Sequence, residues 1–366
     1  MQAVTDWRQR AAVMLVTAMA VVGCSSTQQT QAINAPPSID APAQMNVLDY
    51  LHPELKPLLT SRQQLVDMLG FDSFSPENLM TFRQKDQSKP YRPLASPAVS
   101  ELTIAGLAGE PEVPIFLINA GNADSAKRPA IVYLHGGGYI LGTAKDSVVA
   151  MQKVAEEHDC VVVVVEYRLA PETPFPGALH DNYAALQWLY ANADALGVNP
   201  QQLVIMGQSA GGGHAAMLAI AARDKGEIPV KAQILVYPML DDRTGSSVQL
   251  PPWFGAFLWT PESNRFGWSA LLGQPAGSVS VPYGAVPARI ENLSGLAPAY
   301  IQVGSIDLFA PEDITYAQRL VEAGVPTELN VLPGLFHAAE HVFSDTQVSK
   351  QFKQQLDAAI GRALRE

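Results

Sequence analysis

Cysteine is almost missing from this chain of 366 residues, which has two, Cys24 and Cys160. A disulfide-stapled scaffold is therefore excluded, and Cys160, which leads into the run Val161-Val162-Val163-Val164-Val165, reads as a small buried side chain rather than a reactive thiol. Positive charge is scarce too. The 24 Lys and Arg face 35 Asp and Glu, and the net charge of −11 argues against nucleic acid or an anionic membrane surface as a partner. No internal repeat is found, and no glycine-rich loop ends in Lys-Ser or Lys-Thr, so neither a solenoid nor a phosphate-loop NTPase is supported. The uncharged run at 11–22 is too short to span a bilayer comfortably.

What is present suffices for one large core, since 48% of the residues are hydrophobic. From about residue 113, short β-rich runs alternate with longer helical ones. Strands are predicted at 113–119, 130–134, 160–166, 203–206, 233–237, 300–303 and 328–332, and helices at 147–158, 178–192, 210–224, 312–323 and 345–364. Strands that are apolar throughout are buried on both faces, as in a mainly parallel sheet between helix layers. The fold class is α/β. The connection 238–296 is far longer than the usual ~2–6 residues and carries Trp253, Phe254, Phe257, Trp259, Phe266 and Trp268. It reads as a cap insertion at about 241–292. Singly its aromatics would pack the insertion onto the sheet, and as a group they would line an apolar acyl pocket. A second cap piece is expected at 45–95, where leucines recur at near-helical spacing and His52-Pro53 and Lys56-Pro57 break the first turns, leaving 96–366 as the catalytic domain.

Two motifs carry the chemistry. Gly207-Gln208-Ser209-Ala210-Gly211 follows one apolar strand and opens a small-residue helix, and His135-Gly136-Gly137-Gly138-Tyr139 follows another. A serine at a tight strand-to-helix turn projects its hydroxyl clear of the sheet, and a glycine run lets bare backbone N–H groups converge on a ligand. Acyl transfer needs a nucleophile, a base, a group that orients the base, and donors for the developing oxyanion. Ser209 is the candidate nucleophile, with the Ala210 N–H beside it and the loop Gly136-Gly137-Gly138 supplying further donors. Among seven histidines, His337 lies in a loop just past the last predicted strand and is the candidate base. Asp307 follows the penultimate strand and completes the chain order Ser, Asp, His. Its rivals are Asp313, read as a helix-start residue favoured by the dipole, and Asp241-Asp242, read as fixing the base of the cap through Arg243 or another cation.

One motif competes. His337-Ala338-Ala339-Glu340-His341 matches the His-x-x-Glu-His of inverted zinc proteases. Only 25 residues follow His341 to provide a third ligand, and Pro333-Gly334 marks a loop rather than a helix interior. His341 reads instead as a helix-start or surface residue, and no metal is assigned.

The N-terminus reads as an address. Arg8 and Arg10 precede the apolar run, giving a signal peptide at 1–23 that exports the chain. Val21-Val22-Gly23-Cys24 resembles a bacterial lipobox, which implies cleavage before Cys24 and lipidation of its thiol, with simple cleavage or an uncleaved anchor as the alternatives. Ser25 in place of Asp by the same resemblance favours the outer membrane over the periplasmic face. Residues 24–44 then form a flexible tether. Contact with a membrane is expected only through that anchor.

Taken together the motifs resemble those of the hormone-sensitive lipase branch of α/β-hydrolases. Tyr167-Arg168-Leu169-Ala170-Pro171-Glu172, Tyr237-Pro238-Met239-Leu240-Asp241-Asp242 and Ala323-Gly324-Val325-Pro326-Thr327 add to the likeness. The resemblance implies an α/β-hydrolase fold with a helical cap, a triad of Ser209, Asp307 and His337, and oxyanion donors at Gly137, Gly138 and Ala210. It departs at Gln208, where Asp is commoner, and after Asp307, where Leu308-Phe309-Ala310 replaces a Pro-Leu-Arg run. Residues and resemblance converge on a serine carboxylesterase that takes small-molecule esters of short to medium chain length and needs no cofactor. An amidase or formamidase using the same triad, and a non-catalytic binding protein on this fold, are the alternatives.

Overall fold

The computed structural model describes residues 46–70, 72–88 and 90–365. The expected signal peptide at 1–23, the lipidation site Cys24 and the tether at 24–44 lie outside the described residues.

Eight strands form one sheet: β1 (Val99–Ile104), β2 (Val113–Ile118), β3 (Arg128–Leu134), β4 (Val161–Val165), β5 (Val198–Gln208), β6 (Ala232–Val236), β7 (Ala299–Gly304) and β8 (Thr327–Leu332). Their order is β1-β2-β4-β3-β5-β6-β7-β8. The pairs β1–β2 and β2–β4 are antiparallel, and every pairing from β4 across to β8 is parallel. All five valines of β4 are buried, as a strand covered on both faces requires. The edge strand β1 has an exposed, polar pattern, and without an apolar run it left no signal in the sequence.

The helices among the described residues are α1 (Arg62–Leu69), α2 (Pro76–Ser88), α3 (Val148–His158), α4 (Gly177–Ala191), α5 (Ala210–Lys225), α6 (Pro261–Leu272), α7 (Ala310–Glu322), α8 (Ala339–Val342) and α9 (Gln347–Arg365). Alternate residues of each strand feed opposite layers. Val132, Leu134, Leu203, Ile205 and Leu235 pack under α4, α5 and α7. Ile131, Tyr133, Val204, Met206 and Ile234 pack against α3 and α9. Helix α5 runs through the interior with Ala, Gly and Met buried along most of its length, and small side chains let it lie close to the sheet.

The long connection 238–296 is not irregular throughout. Helix α6 starts at Thr260, whose hydroxyl accepts from the Ser263 N–H, has Pro261 in its first turn, and stops at the left-handed Gly273. Those start and stop signals are present in the sequence, although the reading above placed no helix there. Phe74, between α1 and α2, joins the two outer pieces: its N–H donates to Ser263 Oγ at 2.9 Å, and its ring lies 5.7 Å from that of Trp259. Arg83 of α2 ties this layer to the glycine loop by donating to Ile140 O at 2.8 Å and Ala170 O at 2.6 Å. At the root of the connection the fully buried Asp242 receives Arg289, 2.7 Å away, while Asp241 pairs with Arg243 at 2.7 Å.

Candidate active site

Ser209 sits between β5 and α5 with φ 56° and ψ −124°, a positive-φ conformation that a non-glycine residue keeps only when its surroundings impose it. The turn closes so tightly that a Cβ on Gly211 would stand 2.1 Å from Leu134 O, and one on Gly207 would stand 2.1 Å from Gly211 O. Glycine is therefore required on both sides of the serine. The backbone N–H of Ser209 donates to Val236 O at 2.9 Å, and its carbonyl accepts from Gly213 and Met239, so the elbow is fixed by its neighbours.

His337 arrives from the loop after β8. Its Nε2 lies 2.9 Å from Ser209 Oγ, and its Nδ1 lies 2.8 Å from Asp307 Oδ2. A carboxylate can only accept, so Nδ1 carries the proton of the neutral imidazole and Nε2 is left to accept from the serine hydroxyl. Asp307 follows β7 and is buried; its other oxygen accepts from the Phe309 N–H at 3.0 Å. Rings hold the imidazole in place: Tyr237 meets it at 4.8 Å and 67°, Phe309 at 5.1 Å and 88°. The structure thus brings together the three side chains that the sequence reading chose.

The glycine loop faces the same space. Gly136, Gly137, Gly138 and Ser209 line a cavity of about 330 Å³ together with Phe74, Leu258, Trp259 and His337. Ala210 is the first residue of α5, so its N–H is among the donors that no turn of the helix satisfies. His135 stacks on Tyr167 at 4.2 Å, its Nδ1 lies 2.8 Å from Gly136 O, and Tyr167 Oη donates to His135 O at 2.6 Å. Such bracing keeps the loop in shape before any ligand arrives.

The rival residues are placed elsewhere. Asp241 and Asp242 face arginines at the root of the insertion, as the sequence reading had them. Asp313 stands in the first turn of α7, as the sequence reading had it, and is fully buried, with neither carboxyl oxygen hydrogen-bonded among the described residues. Burial, and then the charges of Glu312 and Asp307, push its carboxyl well above the usual aspartate range. The neighbouring Glu312 has a structural task that the sequence did not signal. It accepts from the backbone N–H groups of Leu240 and Asp241 and from the Thr244 hydroxyl, locking the chain after β6.

The zinc-protease pattern does not form. Both ring nitrogens of His337 face Ser209 and Asp307, and Glu340 accepts instead from Tyr237 Oη at 2.7 Å. The aromatics of the insertion also divide. Trp259 lines the cavity, whereas Trp268 is buried against Tyr139 and Trp253 stacks on Tyr50. Phe74 reaches the cavity from the N-terminal segment, and no sequence signal marked it.

Comparison with known proteins places the chain among esterases and related hydrolases by similarity. A family described as alpha/beta hydrolase fold matches residues 131–341. Esterase LipI of Mycobacterium tuberculosis is 32% identical over 290 residues, which cover 78% of this chain and 88% of that protein. An ethyl acetate hydrolase of Pseudomonas putida is 32% identical over 65% of this chain and 79% of its own. Among solved structures, a bacterial heroin esterase superposes with a TM-score of 0.72 at 34% identity, covering 88% of this chain and all of that one (100%).

Proposed function

The chain belongs to the alpha/beta hydrolase fold family, and on that premise we propose that it is a carboxylic ester hydrolase in which Ser209, His337 and Asp307 act as the triad. The observation that carries this reading is the unbroken chain of contacts from Ser209 Oγ to His337 Nε2 at 2.9 Å and from His337 Nδ1 to Asp307 Oδ2 at 2.8 Å. His337 takes the serine proton as Oγ attacks the ester carbonyl. Asp307 keeps Nδ1 protonated and stabilises the imidazolium that results. The negative charge that grows on the carbonyl oxygen is met by the N–H groups of Gly137, Gly138 and Ala210, each such donor being worth about 2.7–4 kcal/mol of barrier. The alcohol leaves with the proton from Nε2, and a water activated by the same imidazole clears the acyl-enzyme.

The acyl group is short to medium in length. Trp259 and Phe74 close one side of a cavity of about 330 Å³, and the relative from Pseudomonas putida is named for ethyl acetate. The N-terminal segment and the insertion form the cap over that cavity. Hydrolysis of p-nitrophenyl esters from acetate to palmitate by the wild type, Ser209→Ala and His337→Ala tests the reading. Activity should peak at short chains and vanish in both variants. A folded wild type inert on every ester overturns it.

We further propose that Arg8, Arg10 and the run at 11–22 direct export, and that Cys24 is lipidated and holds the enzyme at a membrane surface. Labelled palmitate should enter the wild type and not Cys24→Ser. Label that persists in the variant contradicts the assignment.

A further inference from the structure

The side chains that line the cavity at Ser209 fall into two groups. One is apolar and comes from the outer layer: Phe74, Leu258 and Trp259. The other is polar, and two of its residues have no part in the triad. Asp146 lies on the short turn Ala144–Ser147 that leads into α3, and His341 lies on α8 just before α9. Helices α3 and α9 cover the same face of the sheet and pack on each other, so Asp146 and His341 approach the cavity from one helical layer. Both are exposed, and Gln208 lies at the cavity floor beside the serine.

His341 is also backed from below. Its Nε2 lies 3.4 Å from Glu340 Oε1, and Glu340 is buried and takes the Tyr237 hydroxyl at 2.7 Å. The ring of Tyr237 rests edge-on against His337. With Nε2 turned to Glu340, the imidazole presents Nδ1 to a ligand as an acceptor, and Asp146 adds a carboxylate with several acceptor sites. A simple acyl chain has no use for such groups and fits the apolar flank. The alcohol portion of the ester is then left to the polar one.

Resting on the esterase reading, we propose that Asp146 and His341 form a hydroxyl-binding flank that selects esters whose alcohol portion carries further free hydroxyl groups, such as acylated sugars or monoacyl glycerols. Hydroxyls donate and accept at once, which matches a carboxylate, an imidazole and the Gln208 amide better than a purely cationic or purely apolar alcohol does. Neither residue takes part in bond breaking; both act on which ester is held.

The test compares two acetates of like size, methyl 6-O-acetyl-glucoside and cyclohexylmethyl acetate, with the wild type, His341→Ala, His341→Gln and Asp146→Ala. The readout is the ratio of kcat/KM between the two esters. The wild type should favour the glucoside, and each alanine variant should lower the ratio about 3- to 10-fold, the loss of one hydrogen bond, mainly through KM. His341→Gln, which keeps an acceptor, should restore most of it. A wild type that prefers the cyclohexyl ester, a ratio unchanged in both alanine variants, or an Asp146-dependent preference for acetylcholine over both esters overturns the proposal. A wild type inert on these esters and on p-nitrophenyl acetate overturns the esterase reading itself, a distinct result.

Discussion

Trp259 lies directly on Gly138: a Cβ added to that glycine would stand 2.0 Å from the indole Cη2. The indole cannot yield, because its Nε1 donates to Asn264 Oδ1 at 3.1 Å and its ring is held by Phe74. Gly138 also has φ 59°, a conformation that costs any L side chain. One residue of the insertion therefore sets both the position of the glycine loop and the wall of the cavity.

Gly138→Ala should displace that loop and lower kcat/KM by about 100-fold or more, the cost of one misplaced oxyanion donor. The double variant with Trp259→Ala should recover part of the loss, because the obstacle has gone. Wild-type steady-state kinetics in Gly138→Ala would contradict the close approach.

Trp259→Ala alone should open the apolar flank. In a p-nitrophenyl ester series the preferred chain should lengthen by several carbons while short esters lose affinity, since a removed indole forfeits much of the contact with a small acyl group. An unchanged chain-length profile would place the acyl group elsewhere.

Asp307→Asn keeps the shape of the side chain but lets the amide donate to His337 Nδ1, which favours the wrong tautomer. A fall in kcat of up to about 10⁴-fold is expected with little change in thermal stability, by analogy with that substitution in other serine hydrolases. Near-normal kcat would move the orienting role to another acid.

Asp313→Asn bears on pH and stability. Burial first, and the charges of Glu312 and Asp307 next, raise the Asp313 carboxyl well above the ordinary aspartate range in the folded state, while the unfolded chain ionises near the ordinary 3.8. Above that pH the unfolded state has released a proton that the folded state keeps, so the wild type loses stability as pH rises towards the folded pKa. The asparagine variant does not titrate there. Denaturant unfolding at several pH values should show the difference moving in its favour by about 1.4 kcal/mol per pH unit across that window. A difference independent of pH would mean that Asp313 is ionised in the fold.

The parallel strands and the three side chains of the proposed triad were legible because each had a local signature. Continuous apolar runs marked β3 to β7, Ser209 and Asp307 each follow one, and His337 follows the last strand, β8. The edge strand β1 had no such run, and α6 was passed over although Thr260-Pro261 and Gly273 bracket it. Asp313 was read correctly as a helix-start residue, but its burial was not foreseen. Positions 310, 313, 316, 317 and 320 share the buried stripe of α7, which already put 313 on the core face. The polar flank was not readable at all, because Asp146 and His341 meet the cavity only through the packing of α3 on α9, nearly two hundred residues apart in sequence.

Covalent labelling tests the central claim most directly. The full chain is treated with a p-nitrophenyl phosphonate, and the adduct is mapped by peptide mass spectrometry in the wild type, Ser209→Ala and His337→Ala. A single adduct on Ser209 is expected, absent from Ser209→Ala, strongly slowed in His337→Ala, and formed in step with the loss of ester hydrolysis. An adduct on another residue that accompanies inactivation, or hydrolysis that survives in Ser209→Ala, would contradict Ser209 as the nucleophile.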